Sequence, residues 1–250
     1  IKPDSIKTHM IFRDSEIARK FEDQGDMIWL PLFEIKKGGE KYGAYLPSIV
    51  TDSEEERVID RLREIKRLGI SRVMCNNLGH VAPCLKEGFS VSGGWGLNLY
   101  NASSLKVIKE MGASEATVSF ENTILQIRHM KKPLPVNVIV YGKLPLMTTE
   151  NCIAKNAGKC TDITGETYNL TDIKNNNFPV LCEYPHRNII LNGIPLYMLD
   201  RKNEFLSCGI SAFTLLFTTE SEGEISEIIR AYKTGMPPVT PFTRGAYRKN

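Results

Sequence analysis

The sequence predicts an α/β protein built as a (β/α)8 TIM-like barrel with a cysteine-bearing insertion after the seventh strand. Three observations predict it. Strand-like and helix-like segments alternate along most of the 250 residues. About eight strand-like runs occur, most of them followed by a helix, and strands joined in this way pair in parallel. Eight such units between residues 1 and 236 suit the size of a barrel. The alternative is an open doubly wound sheet, but no Gly-x-Gly-x-x-Gly stands after a strand to support it.

The elements follow in order. Residues 6–12 read as the first strand and 14–24 as a helix. Residues 27–32 form the second strand, before a Gly/Lys-rich loop that runs through Gly43, and 44–50 the third. Residues 53–68 are the clearest helix, because Val58, Ile59, Leu62, Ile65 and Leu68 recur at helical spacing. Ser53 with Glu56 reads as its capping box, and Gly69 stops it. The fourth strand is 71–76 with a short helix at 79–87, and the fifth is 89–94 with a helix at 103–111 ended by Gly112. The sixth is 115–120 with a helix at 122–130, and the seventh is 136–141, rich in β-branched residues.

The rhythm then breaks. Residues 143–195 carry Cys, Gly, Pro and the run Asn175-Asn176-Asn177, with short strand-like pieces at 167–170 and 178–182. An insertion of this length exceeds a plain connection and is expected to have a function. Residues 196–206 read as a helix and 210–217 as the eighth strand. Residues 222–232 read as a helix capped by Ser221 and Glu224, with Ile225, Ile228, Ile229 and Tyr232 inward. Residues 237–250 form a Pro-rich basic tail, expected to pack outside the barrel or to lead to a further segment.

Charge and cysteine usage narrow the function classes. Lys+Arg is 32 and Asp+Glu 29, a net charge of +3. A binder relying on net charge is excluded, while local RNA contact stays open. No apolar run approaches the roughly 18 residues of a membrane span, and no signal peptide is visible. Six cysteines, at 75, 84, 152, 160, 182 and 208, lack the tight spacing of a secreted scaffold, so a cytoplasmic protein is expected. The chain begins Ile1-Lys2-Pro3 without Met, and is expected to be a fragment of a longer protein.

In a barrel of this type, chemistry sits at the C-terminal ends of the strands. That rule selects Asn76, Asn77 and His80 after the fourth strand, Asn98 and Asn101 after the fifth, and Glu121 after the sixth. It also selects the insertion after the seventh strand, and Thr218, Thr219 and Glu220 after the eighth. His80 suits a general acid or base, or a residue that merely starts a helix. Glu121 suits a base, or a helix N-terminal carboxylate favoured by the dipole.

Within the insertion, seven residues separate Cys152 from Cys160, twenty-one separate Cys160 from Cys182, and His186 lies four beyond. Thiolate and imidazole suit zinc or an iron–sulfur cluster; the alternative is thiols in a small subcore. Cys75, Cys84 and Cys208 read as packing residues. Arg128, Lys131, Lys132, Lys143, Arg244, Arg248 and Lys249, with Tyr141, Phe242 and Tyr247 near them in sequence, suit single-stranded RNA or a solvated face. No Gly-x-Ser-x-Gly, His-Glu-x-x-His or P-loop occurs.

The run Val140-Tyr141-Gly142-Lys143-Leu144-Pro145-Leu146-Met147, followed by Cys152, resembles the signature region of the peptidase U32 family, the collagenase-like proteases. Asn76-Asn77-Leu78-Gly79, Gly96-Leu97-Asn98 with Asn101, Leu170-Thr171-Asp172, Phe178-Pro179-Val180, Arg187-Asn188, Pro195-Leu196-Tyr197 and Phe242-Thr243-Arg244-Gly245 fit the same family. Nearly the whole chain is covered. It is similar to the second, C-terminal barrel of long members that carry an extra collagenase-like domain.

The resemblance implies two functions. The family name implies a peptidase, for which Glu121 with His80 is the acid–base pair this sequence offers. Relatives that hold a 4Fe–4S cluster through cysteines imply oxygen-independent hydroxylation, including that of RNA pyrimidines. In that reading Cys152, Cys160, Cys182 and His186 are the expected metal ligands, with a 4Fe–4S cluster, zinc or no metal as the alternatives. Asn76, Asn77, Asn98, Asn101, Tyr141 and Arg187 are then expected to bind substrate. The expected partners are RNA and the remaining domains of the longer chain, with no membrane. A non-catalytic barrel that holds RNA or a partner is a third reading. The chain departs from the family at two points: Pro145 and His186 stand where relatives carry cysteine.

Overall fold

In a computed structural model of the chain, the described residues are 6–156, 158, 167–183, 187–236 and 241–248. The first barrel units are β1 (Lys7–Ile11), α1 (Ser15–Lys20), β2 (Met27–Pro31), β3 (Tyr42–Tyr45), α2 (Asp52–Arg67), β4 (Arg72–Cys75) and α3 (Val81–Lys86). They continue with β5 (Ser90–Gly93), α4 (Ala102–Glu110), β6 (Glu115–Thr117), α5 (Ile124–His129) and β7 (Val136–Gly142). The insertion carries β8 (Pro145–Thr149), α6 (Ile153–Asn156), β9 (Thr167–Thr171), β10 (Asn177–Glu183) and β11 (Arg187–Leu191). The chain returns through β12 (Leu196–Tyr197) and α7 (Asn203–Leu206) to β13 (Ala212–Leu216) and α8 (Glu222–Thr234).

Among the described residues, eight parallel strands close into a ring in the order β1-β2-β3-β4-β5-β6-β7-β13, with β13 back on β1. The expected (β/α)8 barrel is present. Its strands are buried almost throughout; Val136–Gly142 has no exposed residue and Ala212–Leu216 is likewise inside. The second unit departs from the regular pattern, because β2 passes to β3 through a single 3-10 turn, Leu32–Glu34, rather than a full helix.

The insertion builds a sheet of its own, in the antiparallel order β8-β11-β10-β9. Its outer strands, β8 and β9, alternate less buried positions, whereas β10 buries Val180, Leu181 and Cys182.

Two local expectations are corrected. Helix α2 starts one residue earlier than its apolar pattern implies, and its capping box is Thr51 with Glu54, not Ser53 with Glu56. Both pairs fit the Ser/Thr-x-x-Glu pattern, and Glu54 has a further partner in the insertion, described below. Residues 196–206 are not one helix. Leu196 and Tyr197 pair antiparallel with Gly142 and Tyr141, because β6 meets β7 only at its start, at Val136 and Asn137. The open upper edge of β7 is thus covered by β12. The described part of the tail packs on the barrel: Thr243 bridges Leu196, and the buried Tyr247 hydroxyl donates to the Ile139 carbonyl at 2.9 Å.

Candidate active site

Two adjoining cavities open at the C-terminal ends of the barrel strands, of about 420 Å³ and about 970 Å³. Arg13 after β1, Tyr45 at the end of β3, Thr218 after β13 and Glu183 at the end of β10 line both. The inserted sheet is therefore the roof of the mouth. Pro145, Leu146, Met147, Leu181, Ile189 and Leu191 supply the roof of the smaller cavity, and Leu146 and Met147 leave an exposed apolar lip.

The walls of the smaller cavity are aromatic. Tyr45 and Trp95 meet edge to face with ring centres 5.6 Å apart, and Phe120 lies on the same lining. Asn98 and Glu121 add an exposed amide and an exposed carboxylate. Asn98 holds a left-handed backbone (φ 46°), a conformation that asparagine tolerates better than most residues. Asn76 is buried at the base of this wall. Its Oδ1 accepts the Gly96 N–H at 3.1 Å, and its Nδ2 donates to the Leu46 carbonyl at 3.4 Å.

Arg13 Nη2 donates to the Cys182 carbonyl at 3.1 Å, so it joins the mouth to the insertion. Burial pushes the Glu183 carboxyl up from the ordinary carboxylate range, and Arg13 and Arg187 pull it partly back. Burial, and then Glu183, push the Tyr45 phenol up, so it stays a protonated hydroxyl. Glu220 accepts the N–H groups of Thr218 (2.6 Å) and Thr219 (3.0 Å), and also the Tyr141 hydroxyl at 3.2 Å. Among the described residues, the buried Thr218 hydroxyl oxygen has no hydrogen-bond partner.

Among the residues expected from the sequence to act, Asn98 and Glu121 line the mouth with exposed side chains. His80 does not share that cavity. It lines a separate cleft of about 240 Å³ between α2 and α3, with Glu55, Asn77 and Cys84. Burial lowers its imidazole pKa, and Glu55 raises it. Asn77 caps the turn at Gly79 (2.9 Å) and donates to the Ser48 carbonyl (3.3 Å). Asn101 caps α4 through the Ser104 N–H at 3.0 Å. Tyr141 is buried against Tyr197 and Phe217. Arg187 is buried in bonds to Glu54, Glu150 and the Ile49 carbonyl, and lines neither cavity.

Of the expected metal ligands, Cys160 and His186 lie outside the described residues. Cys152 and Cys182 are both buried, and Asn188 joins Cys182 to the backbone just after Cys152. Asn188 accepts the Ile153 N–H at 2.6 Å and donates to Cys182 Sγ at 3.4 Å, while Cys152 Sγ accepts the Lys155 N–H at 3.4 Å. Thiol sulfur is the donor type that zinc or an iron–sulfur cluster takes. Among the described residues, no group of three or more His, Cys, Asp or Glu could hold a metal ion.

The basic residues considered for RNA do not gather at the mouth. Arg128 stands in the last turn of α5 and Lys131 and Lys132 just after it, opposite the mouth, and Lys132 folds onto the Met130 carbonyl at 2.9 Å. Arg244 is paired with Asp200 and Arg248 with Glu204. Lys143 is at the mouth, bonded to Thr219; Lys249 lies outside the described residues.

Residues 34–239 match the model of peptidase family U32. The chain belongs to peptidase family U32. The U32 match takes in every barrel strand from β3 onward and the whole insertion; β1, β2 and Arg13 precede it. The U32 chain is similar to the solved structure of the U32 peptidase Mk0906, at 12% identity and a TM-score of 0.49, over 86% of this chain and 94% of that one. A structure described as native KDPGal aligns at 11% identity and a TM-score of 0.49, over 91% and 93% of the two chains. No curated protein matches the U32 chain in sequence. Among its described residues, no helix is long and apolar enough to cross a membrane.

Arg13, Tyr45, Trp95, Phe120 and Glu183 belong to the mouth but to no motif. The strand-end rule reaches Arg13, just past the first strand, but not Tyr45, which ends β3 in the structure where the sequence pattern carried the third strand on to residue 50. No sequence signal reaches Glu183, because it arrives on a separate sheet that folds back over the barrel.

Proposed function

We propose that this U32 chain is an RNA-modifying enzyme that takes a pyrimidine base into the smaller mouth cavity, and that its reaction is an oxygen-independent hydroxylation or related modification of the ring. One observation carries the reading. Tyr45, Trp95 and Phe120 line a cavity of about 420 Å³ together with the amide of Asn98 and the carboxylate of Glu121. Aromatic faces stack on a base that has left its helix, and amides read its hydrogen-bonding edge. A carboxamide offers both a donor and an acceptor, as the edge of a pyrimidine does. The volume lies in the range of small-molecule sites.

Each residue then has a role. Tyr45, Trp95 and Phe120 hold the ring and exclude water. Asn98 orients its edge, and Glu121 at the rim takes or gives a proton. We assign to the insertion a 4Fe–4S cluster held by Cys152, Cys160, Cys182 and His186, with zinc as the alternative; a cluster supplies electron transfer. Arg13, bonded to the Cys182 carbonyl, keeps that segment against the mouth. The partners in this reading are RNA and further segments of a longer chain, in the cytoplasm.

Trp95 makes the reading testable, since the other tryptophan, Trp29, is fully buried. Uridine or cytidine should quench the Trp95 emission saturably, and the response should vanish in Trp95→Phe. RNA incubated anaerobically with the protein, with water as the oxygen source and a two-electron acceptor such as ferricenium added to take the electrons that leave the C–H bond, should yield an oxygenated pyrimidine nucleoside by mass spectrometry. Iron and sulfide should be present in the same preparation and lost in Cys152→Ala. Unsaturable quenching together with unmodified RNA overturns the proposal.

A specific observation favours a second reading, a peptidase. Carboxylates of Asp14, Glu34, Glu56, Asp60, Glu64, Glu183 and Glu220 outnumber the guanidinium groups of Arg13, Arg57 and Arg61 in the larger cavity. Such a lining attracts a basic peptide and repels phosphate. Cleavage of denatured collagen, lost in Glu121→Gln, would favour it.

A further inference from the structure

We infer that Asn76 is the positioning residue of the base cavity, a single buried amide that sets the angle between the Tyr45 and Trp95 rings. The inference rests on the proposal that this cavity takes a base.

Asn76 follows β4, between the strand that ends in Tyr45 and the strand that leads to Trp95. Its two bonds go to the two neighbours of those rings. Nδ2 donates to the carbonyl of Leu46, the residue after Tyr45, and Oδ1 accepts the N–H of Gly96, the residue after Trp95. One planar group therefore fixes the backbone beside both aromatic walls. Asn76 is 5% exposed, so water does not compete for these bonds.

The glycines around Trp95 show how closely the chain is wrapped on this amide. A Cβ on Gly94 would stand 2.2 Å from Asn76 Oδ1, and one on Gly96 would stand 2.7 Å from the Asn76 carbonyl oxygen. Neither separation is sterically allowed, so glycine at both positions lets the turn close. The turn is held further by Gly94 N–H to the Cys75 carbonyl at 2.9 Å and Asn98 N–H to the Trp95 carbonyl at 3.2 Å. Through that second bond the bracket also sets the place of Asn98, the amide at the cavity wall. Asn76 itself need not touch the base, since both its polar atoms are already engaged.

Three variants of the full chain test this, read by Trp95 emission, its acrylamide quenching and uridine titration. Asn76→Ala removes both bonds. Asn76→Asp keeps an acceptor for Gly96 and loses the donor to Leu46. Gly96→Ala keeps the Asn76 side chain but drives a Cβ against its backbone from an exposed turn, and so displaces the bracket. In Asn76→Ala and Gly96→Ala, Trp95 should become more open to acrylamide, and uridine binding should weaken about tenfold, the loss expected from roughly one buried hydrogen bond. Asn76→Asp should fall between wild type and Asn76→Ala in Trp95 quenching.

Unchanged Trp95 quenching in both Asn76→Ala and Gly96→Ala overturns the inference, whatever happens to binding. Should Asn76→Ala not fold, Gly96→Ala alone decides, by the same criterion. Should wild type bind no pyrimidine, the functional proposal fails, and the quenching data still decide whether Asn76 sets the Trp95 wall.

Discussion

Arg187 of the inserted sheet and Glu54 of helix α2 form a two-point ion pair, Nη1 to Oε1 at 3.1 Å and Nη2 to Oε2 at 2.9 Å. Their side chains are 4% and 11% exposed. Glu54 also accepts the Thr51 N–H at 2.7 Å and so closes the capping box of α2. One carboxylate thus starts a barrel helix and anchors the roof of the mouth. The Ile49 carbonyl and Glu150 take further Arg187 donors. Arg187 is a structural clamp where the sequence offered it as a substrate ligand.

Arg187→Ala is expected to destabilise the protein by about 3 kcal/mol, because it leaves Glu54 buried without its partner. Arg187→Lys should recover only part of the loss, since an ammonium cannot make the two-point contact. Denaturant melts report the first effect. Hydrogen exchange should show the loosening concentrated in β8, β10 and β11, and uniform loosening across the barrel would contradict the clamp.

Glu54 gives the clamp an acid limit. Burial raises its pKa, but the bonds from Arg187 and Thr51 outweigh burial and hold it below the ordinary 4.5. A carboxylate depressed in the folded state adds stability that is complete above its unfolded pKa and is lost as pH falls through the folded value. Wild-type stability should therefore drop below about pH 4.5 more steeply than that of Glu54→Gln. Parallel curves for the two proteins would remove Glu54 as the source.

His9 sets a second pH limit from within β1. It is 2% exposed, and burial lowers its pKa from 6.5, with Glu115 pulling back and Lys7 and Arg72 adding to the fall. The unfolded chain then binds the proton more readily, so stability is full above about pH 6.5 and declines as pH falls through the folded pKa. A melting temperature that falls between pH 6.5 and 5 in wild type and stays flat in His9→Gln is the expected result.

Asn101→Ala should cost about 1 kcal/mol, the usual loss of a helix cap, because its side chain holds the Ser104 N–H at the start of α4. Uridine affinity should not change. Weaker binding at unchanged stability would return Asn101 to the substrate.

Glu121→Gln should lower turnover by about 10²-fold, the contribution of a lost acid–base group. His80→Ala should leave turnover intact, since His80 opens on the cleft between α2 and α3 and not on the mouth. Equal losses in the two variants would mean that the pair acts together after all.

Much of this molecule was legible from the chain. Alternating strands and helices, the apolar spacing of Val58, Leu62 and Ile65, and the capping box of Ser221 with Glu224 are local signals, and each appears where its period or pattern places it. The break at 143–195 was equally plain, and the family resemblance rested on runs whose match to U32 extends over 34–239.

The site was legible only in part. Strand ends are marked by position along the chain, and so Asn98 and Glu121 could be named. What each polar side chain does there depends on which partner reaches it. Asn76, Asn77 and Asn101 look alike as strand-end amides. In the fold, Asn76 braces two walls, Asn77 closes a turn toward a different cleft, and Asn101 caps a helix.

The sequence by itself therefore determined the barrel, its eight strands and the place of the insertion. These follow from periodicity and from contacts close in the chain. Tertiary structure alone decided that β10 brings Glu183 over Arg13, that Tyr45 meets Trp95, that Glu54 and not Glu56 starts α2, and that β12 covers the edge of β7. Those outcomes depend on burial and hydrogen bonding between segments up to 170 positions apart (Arg13 to Glu183), which no local pattern encodes.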